Sequence, residues 1–217
     1  MNKLLSCLEE KKIQFLDLRF TDILGTEHHI TITPETIDEN FLKEQLEDAS
    51  EFDNKLLAFP AQSNVSGVKH DLDWIKKAQD LGWDVLLDAA AFVPTNRLDL
   101  KEIKPDFVSV SFYKIFGYPT GIGCLLVNKE KFKKLQKPWF AGGTVSLVSV
   151  NAIHHFLINN HERFEDGTLN YLDIPAVKIG LDYIENIGIQ RINERVASLR
   201  KYLFENLESL QHDNGRK

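Results

Sequence analysis

Apolar and polar positions follow more than one rhythm along this chain, and the change of rhythm predicts where one kind of structure gives way to another. In residues 3–12, Leu4, Leu5 and Leu8 fall on one side of a helical wheel, with Glu9, Glu10, Lys11 and Lys12 mostly on the other. IQFLDLRF (13–20) and HHITIT (28–33) read as strands, and Gly25 in the TDILGTE connection makes a hairpin the simplest arrangement. From Pro34 to Asn54 the chain is acidic and weakly apolar. Its first half suits a helix around Ile37, Phe41, Leu42 and Leu46, and its second half suits a linker, which puts a domain boundary near residues 45–55.

Beyond that boundary short apolar runs dominate: LLAFPA (56–61), WDVLLDAAA (83–91) and FVSVSF (107–112). Between the first two, DLDWIKKAQDLG (71–82) predicts a helix capped by Asp71 or Asp73, buried through Trp74, Ile75 and Ala78, and closed by Gly82. Connections of roughly 20 and 15 residues allow parallel crossovers. GCLLVN (123–128) follows after a gap too short for a helical crossover, so this strand is expected to run antiparallel. The sum is an α/β layer with a mixed sheet. In WFAGGTVSLVSV (139–150) the paired glycines read as a loop, and helical patterns fill 172–187 and 189–210.

Composition narrows the class. Acidic residues outnumber basic ones, 32 to 26, for a formal net charge of −6, so nothing global attracts nucleic acid or an anionic membrane. No apolar run approaches the roughly 18 residues of a membrane span, and Glu9 and Glu10 cut short any signal-peptide core. Cys7 and Cys124 are the only cysteines, which excludes a disulfide framework and a multi-cysteine zinc site. A cytoplasmic protein is expected. No metal site is expected from His28, His29, His154, His155 and His161, because adjacent histidines on a strand face opposite ways. The lysine-rich KEKFKKLQK (129–137) reads as a solvated helix face, and Cys124 as a core thiol.

Lys114 is the residue with chemical promise. It ends the run Ser111-Phe112-Tyr113-Lys114 before the Gly/Pro-rich FGYPTGIG, and a lysine among aromatics at a strand's C-terminal end suits Schiff-base chemistry. Asp88 stands near the end of the preceding predicted strand, and such ends line the ligand crevice of parallel α/β sheets. Lysine plus carboxylate is the pairing that pyridoxal phosphate requires. Spacing alone favours an ordinary exposed strand-end lysine and a turn aspartate, since both residue types are common at such edges.

The run AFPAQSNVSGVKHDLDWI, then GWDVLLDAAAFVPTNRLDL, PDFVSVSFYKIFGYPTGIGCLLVNKE, WFAGGTVSLVSV and RFEDGTLNYLDIPAVKIGLDYI, closely resembles the aminotransferase class V family. Within it the likeness is to the cysteine-desulfurase-type domain of molybdenum cofactor sulfurases, over about residues 54–210. The resemblance implies a partial fold type I large domain over 55–217, pyridoxal 5′-phosphate as cofactor, and L-cysteine as substrate. Lys114 would carry the cofactor and move protons at the substrate Cα, and Asp88 would hold the pyridine nitrogen protonated. Asn64 in SNVSG would bond the ring hydroxyl, and Ser111 and Tyr113 would lie near the phosphate. Thr168 in RFEDGT would reach the phosphate of a neighbouring subunit, implying a homodimer. Gly142, Gly143 and Thr144 could approach the same site or form a plain loop. Relative to the family, the upstream phosphate cup and the downstream substrate-carboxylate arginine do not match anything here, so weak catalysis is expected.

The N-terminus carries a second resemblance. LLSCLEEKKIQFLDLRFTDILGTEHHITI is similar to the start of bacterial-type glutamine synthetase, which implies a small α+β, β-grasp-like segment over 1–44 joined by a 45–54 linker. Three functions follow for comparison: a pyridoxal-phosphate-dependent sulfurtransferase, a non-catalytic fusion remnant that binds a partner, and a glutamine-synthetase-like assembly module.

Overall fold

A computed structural model describes residues 16–21, 27–32, 43–44, 46–47, 54–118, 120–208 and 210, the first two segments as backbone. The helix expected at 3–12 and the Gly25 turn lie outside the described residues. Among described residues, contacts separate two units: those up to Leu56 together with Lys77–Asp84, and those of Leu57–Lys76 with Val85 onward.

In the first unit, β1 (Leu16–Thr21) and β2 (Glu27–Ile32) pair antiparallel with Leu16 opposite Ile32 and Thr21 opposite Glu27, the expected hairpin. Leu46 is buried, and its carbonyl accepts a 2.9 Å bond from the Trp83 indole. Lys55 donates to the Leu81 carbonyl at 3.0 Å and lies over the Trp83 ring.

Four strands form the main sheet in the order β3-β4-β5-β6: β3 is Leu56–Pro60, β4 Asp84–Asp88, β5 Phe107–Ser111 and β6 Gly123–Val127. β4 and β5 run parallel, with Asp88 opposite Ser109, and β6 returns antiparallel, with Ser111 opposite Gly123. The expected mixed sheet is therefore present. Val85 and Leu87 of β4 and Phe107 and Val108 of β5 are buried, so the apolar core lies along the two central strands. Asp106 is buried beside them, where its carboxylate accepts from the Val85 amide at 2.8 Å and lies 3.5 Å from Lys131.

Helix α1 (Asp73–Asp80) starts where the Asp71 carboxylate accepts from the Asp73 amide at 2.9 Å, and it buries Ile75 and Ala78. A one-turn helix α2 (Phe112–Phe116) follows β5 directly; Gly117, at φ 82°, ends it by donating to the Tyr113 carbonyl. Helix α3 (Ile174–Ile187) packs on α2 closely enough that a Cβ on Gly180 would stand 2.4 Å from the Phe116 ring. Gly188, at φ 89°, separates α3 from α4 (Ile189–Glu208). No helix among the described residues is long and apolar enough to cross a membrane.

The paired glycines after Pro138 lie in a turn as expected, and it leads into an unexpected strand β7 (Val145–Val148), paired antiparallel with β8 (His155–Leu157). Cross-strand pairing with a segment ten residues away decides that, and local pattern did not reveal it. The lysine-rich 129–137 stretch is not a solvated helix face: only Phe132–Lys134 forms a 3₁₀ turn, and Lys137 is buried, paired with Asp166.

Candidate functional site

The site gathers at the C-terminal ends of β3, β4 and β5. Ala61, just past β3, donates its N–H to the Asp88 carbonyl at 2.8 Å, and Ala89 donates to the Ser109 carbonyl at 3.0 Å, so these ends lie side by side. Strand ends in a parallel layer point into one crevice because the crossovers carry the chain away from them.

Asp88 is exposed at the end of β4, and one carboxylate oxygen accepts both the Ala90 amide, at 2.9 Å, and the Ser109 hydroxyl, at 3.2 Å. Two donors on one oxygen hold the carboxylate in a fixed orientation. Ser109 was not singled out from sequence, yet the alternation FVSVS puts it on the same strand face as Ser111, which is the signal that could have found it.

Lys114 is half-buried in α2 instead of at a strand end, and its ammonium nitrogen donates to Oδ1 of Asn64 at 2.9 Å across 50 residues of sequence. Asn64 sits in a turn built by Ser63. The Ser63 hydroxyl accepts from the Val65 and Ser66 amides at 3.3 and 3.1 Å, while its backbone bonds Val68 and Gly67 at 2.8 and 3.0 Å. The structure therefore brings together Lys114 with Asn64, and Asp88 with Ser109, at adjoining strand ends.

The other expected residues divide. Ser111 ends β5 at the N-cap position of α2 without capping it through its side chain, and Tyr113 is exposed on α2 beside Lys114. Thr168 is exposed in the loop before α3, whose N-cap is Asp173, so it does not cap that helix. Its neighbour Gly167 donates to the Gly142 carbonyl at 3.0 Å, which joins the EDGT and AGGT loops. Thr144 is fully buried, and its hydroxyl both donates to and accepts from the Ala141 backbone, so it closes its own loop. Cys124 is half-buried and not part of the full core; burial raises its thiol pKa above the usual value. It lines a cavity of about 630 Å³ with Leu125, Phe132, Phe164 and Ile174, and none of the six candidate residues lines that cavity. Among the described residues, no three His, Cys, Asp or Glu side chains converge as a metal site would need.

A primary amine, a carboxylate, a side-chain amide and two serine hydroxyls at one sheet end match the groups of pyridoxal phosphate: an aldehyde, a pyridine nitrogen, a ring hydroxyl and a phosphate. The sequence profile of the aminotransferase class-V family matches residues 24–214. The chain belongs to the aminotransferase class-V family. As a member of this pyridoxal-phosphate family, the chain takes pyridoxal phosphate as its cofactor, and the donor set at Lys114 fits it. Molybdenum cofactor sulfurase 1 of Aedes aegypti is 37% identical over 95% of this chain and 29% of its own length. The human molybdenum cofactor sulfurase is 42% identical over 74% of this chain and 19% of its own length. The chain thus spans less than a third of these relatives. Among solved structures, the apo cysteine desulfurase of Thermococcus onnurineus NA1 superposes with a TM-score of 0.69 at 32% identity, over 79% of this chain and 42% of that one. The α/β layer with its mixed sheet is accordingly that of fold type I.

Proposed function

We propose that this class-V chain acts in a pyridoxal-phosphate-dependent sulfurtransferase of the molybdenum cofactor sulfurase type, taking sulfur from L-cysteine. The observation that supports the reading is the Lys114–Asn64 bond, with the Asp88–Ser109 pair at the adjoining strand ends. When bound, pyridoxal phosphate supplies an electron sink for bonds at the substrate Cα. Lys114 holds the cofactor and moves a proton at that Cα; its reach is set by α2, which Gly117 closes three residues later. Asp88, steadied by the Ala90 amide and the Ser109 hydroxyl, meets the ring nitrogen with its negative charge and keeps that nitrogen protonated. Asn64 bonds the ring hydroxyl, and Ser111 and Tyr113 face the phosphate. Thr168 serves the phosphate of a second copy, so the working form is a homodimer in the cytoplasm, without nucleic-acid or membrane partners.

In this reading the chain by itself is a slow catalyst. Residues 3–44 form a glutamine-synthetase-like β-grasp segment in the same reading, joined through 45–54 to a 55–217 cofactor domain; the family match overlaps that segment from residue 24. A second reading, a non-catalytic interaction module, draws on the exposed apolar residues Val196, Leu199, Leu203 and Phe204 of α4. Borohydride reduction of the chain with pyridoxal phosphate, followed by peptide mapping, decides between them. A pyridoxyl label on Lys114 and transfer of sulfur from L-cysteine to an added thiol as persulfide, with alanine left behind and the transfer lost in Lys114→Ala, support the enzyme, whereas a label on Lys129 or Lys131 overturns the assignment of the lysine.

A further inference from the structure

The Asn64 turn is not held by its own bonds alone. Gln62 and Lys69 face each other across its neck as an antiparallel bridge, and the turn from 63 to 68 projects beyond them. One side chain grips both sides of that neck. Asn96 donates from Nδ2 to the Gln62 side-chain oxygen at 3.2 Å, while its Oδ1 accepts from the Lys69 ammonium. Asn96 is only 8% exposed, and its amide is committed on every side. Nδ2 also bonds the Phe92 carbonyl at 2.9 Å, and Oδ1 also accepts from Asn193 of α4 at 3.1 Å.

A buried amide with this many partners has a locked rotamer, so it transmits position and does not merely fill space. From it a short chain of bonds leads to the reacting amine: Asn96 holds Gln62 and Lys69, the neck they form carries Asn64, and Asn64 holds Lys114. We infer that Asn96 is a positioning residue for Lys114, acting through the aim of Asn64. This rests on Lys114 being the cofactor lysine, and the test separates the two.

Asn96→Leu keeps the branched shape of the side chain and removes both grips. Hydrogen exchange of the amides at 63–68 in the apo chain should accelerate in Asn96→Leu and return toward wild type in Asn96→Asp, which keeps the acceptor for Lys69. The rate of borohydride-trapped labelling of Lys114 by pyridoxal phosphate should fall roughly tenfold in Asn96→Leu, the scale of a sub-ångström misplacement. In an Asn64→Ala background the same substitution should have little further effect, because its path runs through Asn64. Equal slowing in both backgrounds, or no slowing in either, overturns the inference. Lys69→Met, which removes one grip at the surface side of the network, gives the same comparison if Asn96→Leu does not fold. If the wild-type label falls on another lysine, the cofactor assignment fails. Exchange at 63–68 that stays unchanged in Asn96→Leu overturns the clamp whichever lysine is labelled.

Discussion

Lys114 and Lys137 lie in one chain, each withdrawn from solvent to some degree, and the regions around them are built to opposite ends. Lys137 is tied on every side: its ammonium pairs with the Asp166 carboxylate, donates to the Arg163 carbonyl at 3.3 Å and lies 5.7 Å from the Trp139 ring centre. Trp139 in turn donates to the other Asp166 oxygen at 3.2 Å, and Arg163 packs over Phe132 and Phe164. Lys114 is met by the neutral amide oxygen of Asn64, a dipole and not a full charge. A carboxylate fixes an ammonium as a structural ion pair, because separating the two leaves a desolvated charge behind. An amide oxygen orients an amine without holding it so strongly, which suits a group that must leave its partner to react. The difference in partner, more than the difference in burial, separates the lysine proposed to react from the lysine held in an ion pair.

The sharpest way to break this comparison is to exchange the two outcomes. Lys114→Ala should abolish pyridoxyl labelling after borohydride reduction, whereas Lys137→Met should keep the label and lose stability; labelling that survives in Lys114→Ala would reverse the roles assigned here. Next in size is the effect on folding. Asp166→Ala strands the buried Lys137 ammonium, and because Asp166 is itself half-exposed the cost falls between the buried and surface limits, about 2 kcal/mol by urea denaturation. Asn64→Ala should cost less than about 0.5 kcal/mol, as an exposed polar substitution does. A larger loss there would make the Lys114–Asn64 bond structural too.

A smaller effect concerns retention. If Asp88 has its proposed role at the ring nitrogen, Asp88→Ala should weaken pyridoxal phosphate binding about tenfold, the scale of one charge-assisted hydrogen bond; equilibrium dialysis against free cofactor measures it. Smallest is the pH response of Tyr118, in the loop after α2. Its hydroxyl donates to Asp173 at 3.1 Å, and that bond first, then the Asp173 charge, raises the phenol pKa above its ordinary 10.0. A raised pKa favours the protonated phenol in the folded chain, so the contact stabilises fully below the ordinary value and is lost as pH climbs through the folded one. Ultraviolet titration should place this phenol late, and Asp173→Asn should bring it back. A Tyr118 that titrates normally would detach this loop from α3.

Much of this was legible in the residues. The β1–β2 hairpin, the antiparallel return of β6 and the α3–α4 helices follow from apolar period and connection length, both local properties of the chain. Lys114, Asp88 and Asn64 stand in motifs whose order and spacing already named the family. β7 and β8 were not legible, because a short exposed strand is stabilised by its partner and not by its own composition. Nor was Lys137, whose burial depends on Asp166, 29 residues on.

By itself, then, the sequence determined which residue types could do chemistry and the order of the elements that carry them, since helix and strand period are written in neighbouring residues. Only the tertiary structure decided which amine meets a carboxylate and which an amide. It alone placed Ser109 on Asp88, and Asn96 between Gln62 and Lys69. The physical reason is that hydrogen bonds and ion pairs act over about 3 Å and are strong only where water is displaced. Residues 21 to 50 apart in the chain reach that distance only after the strands between them have paired.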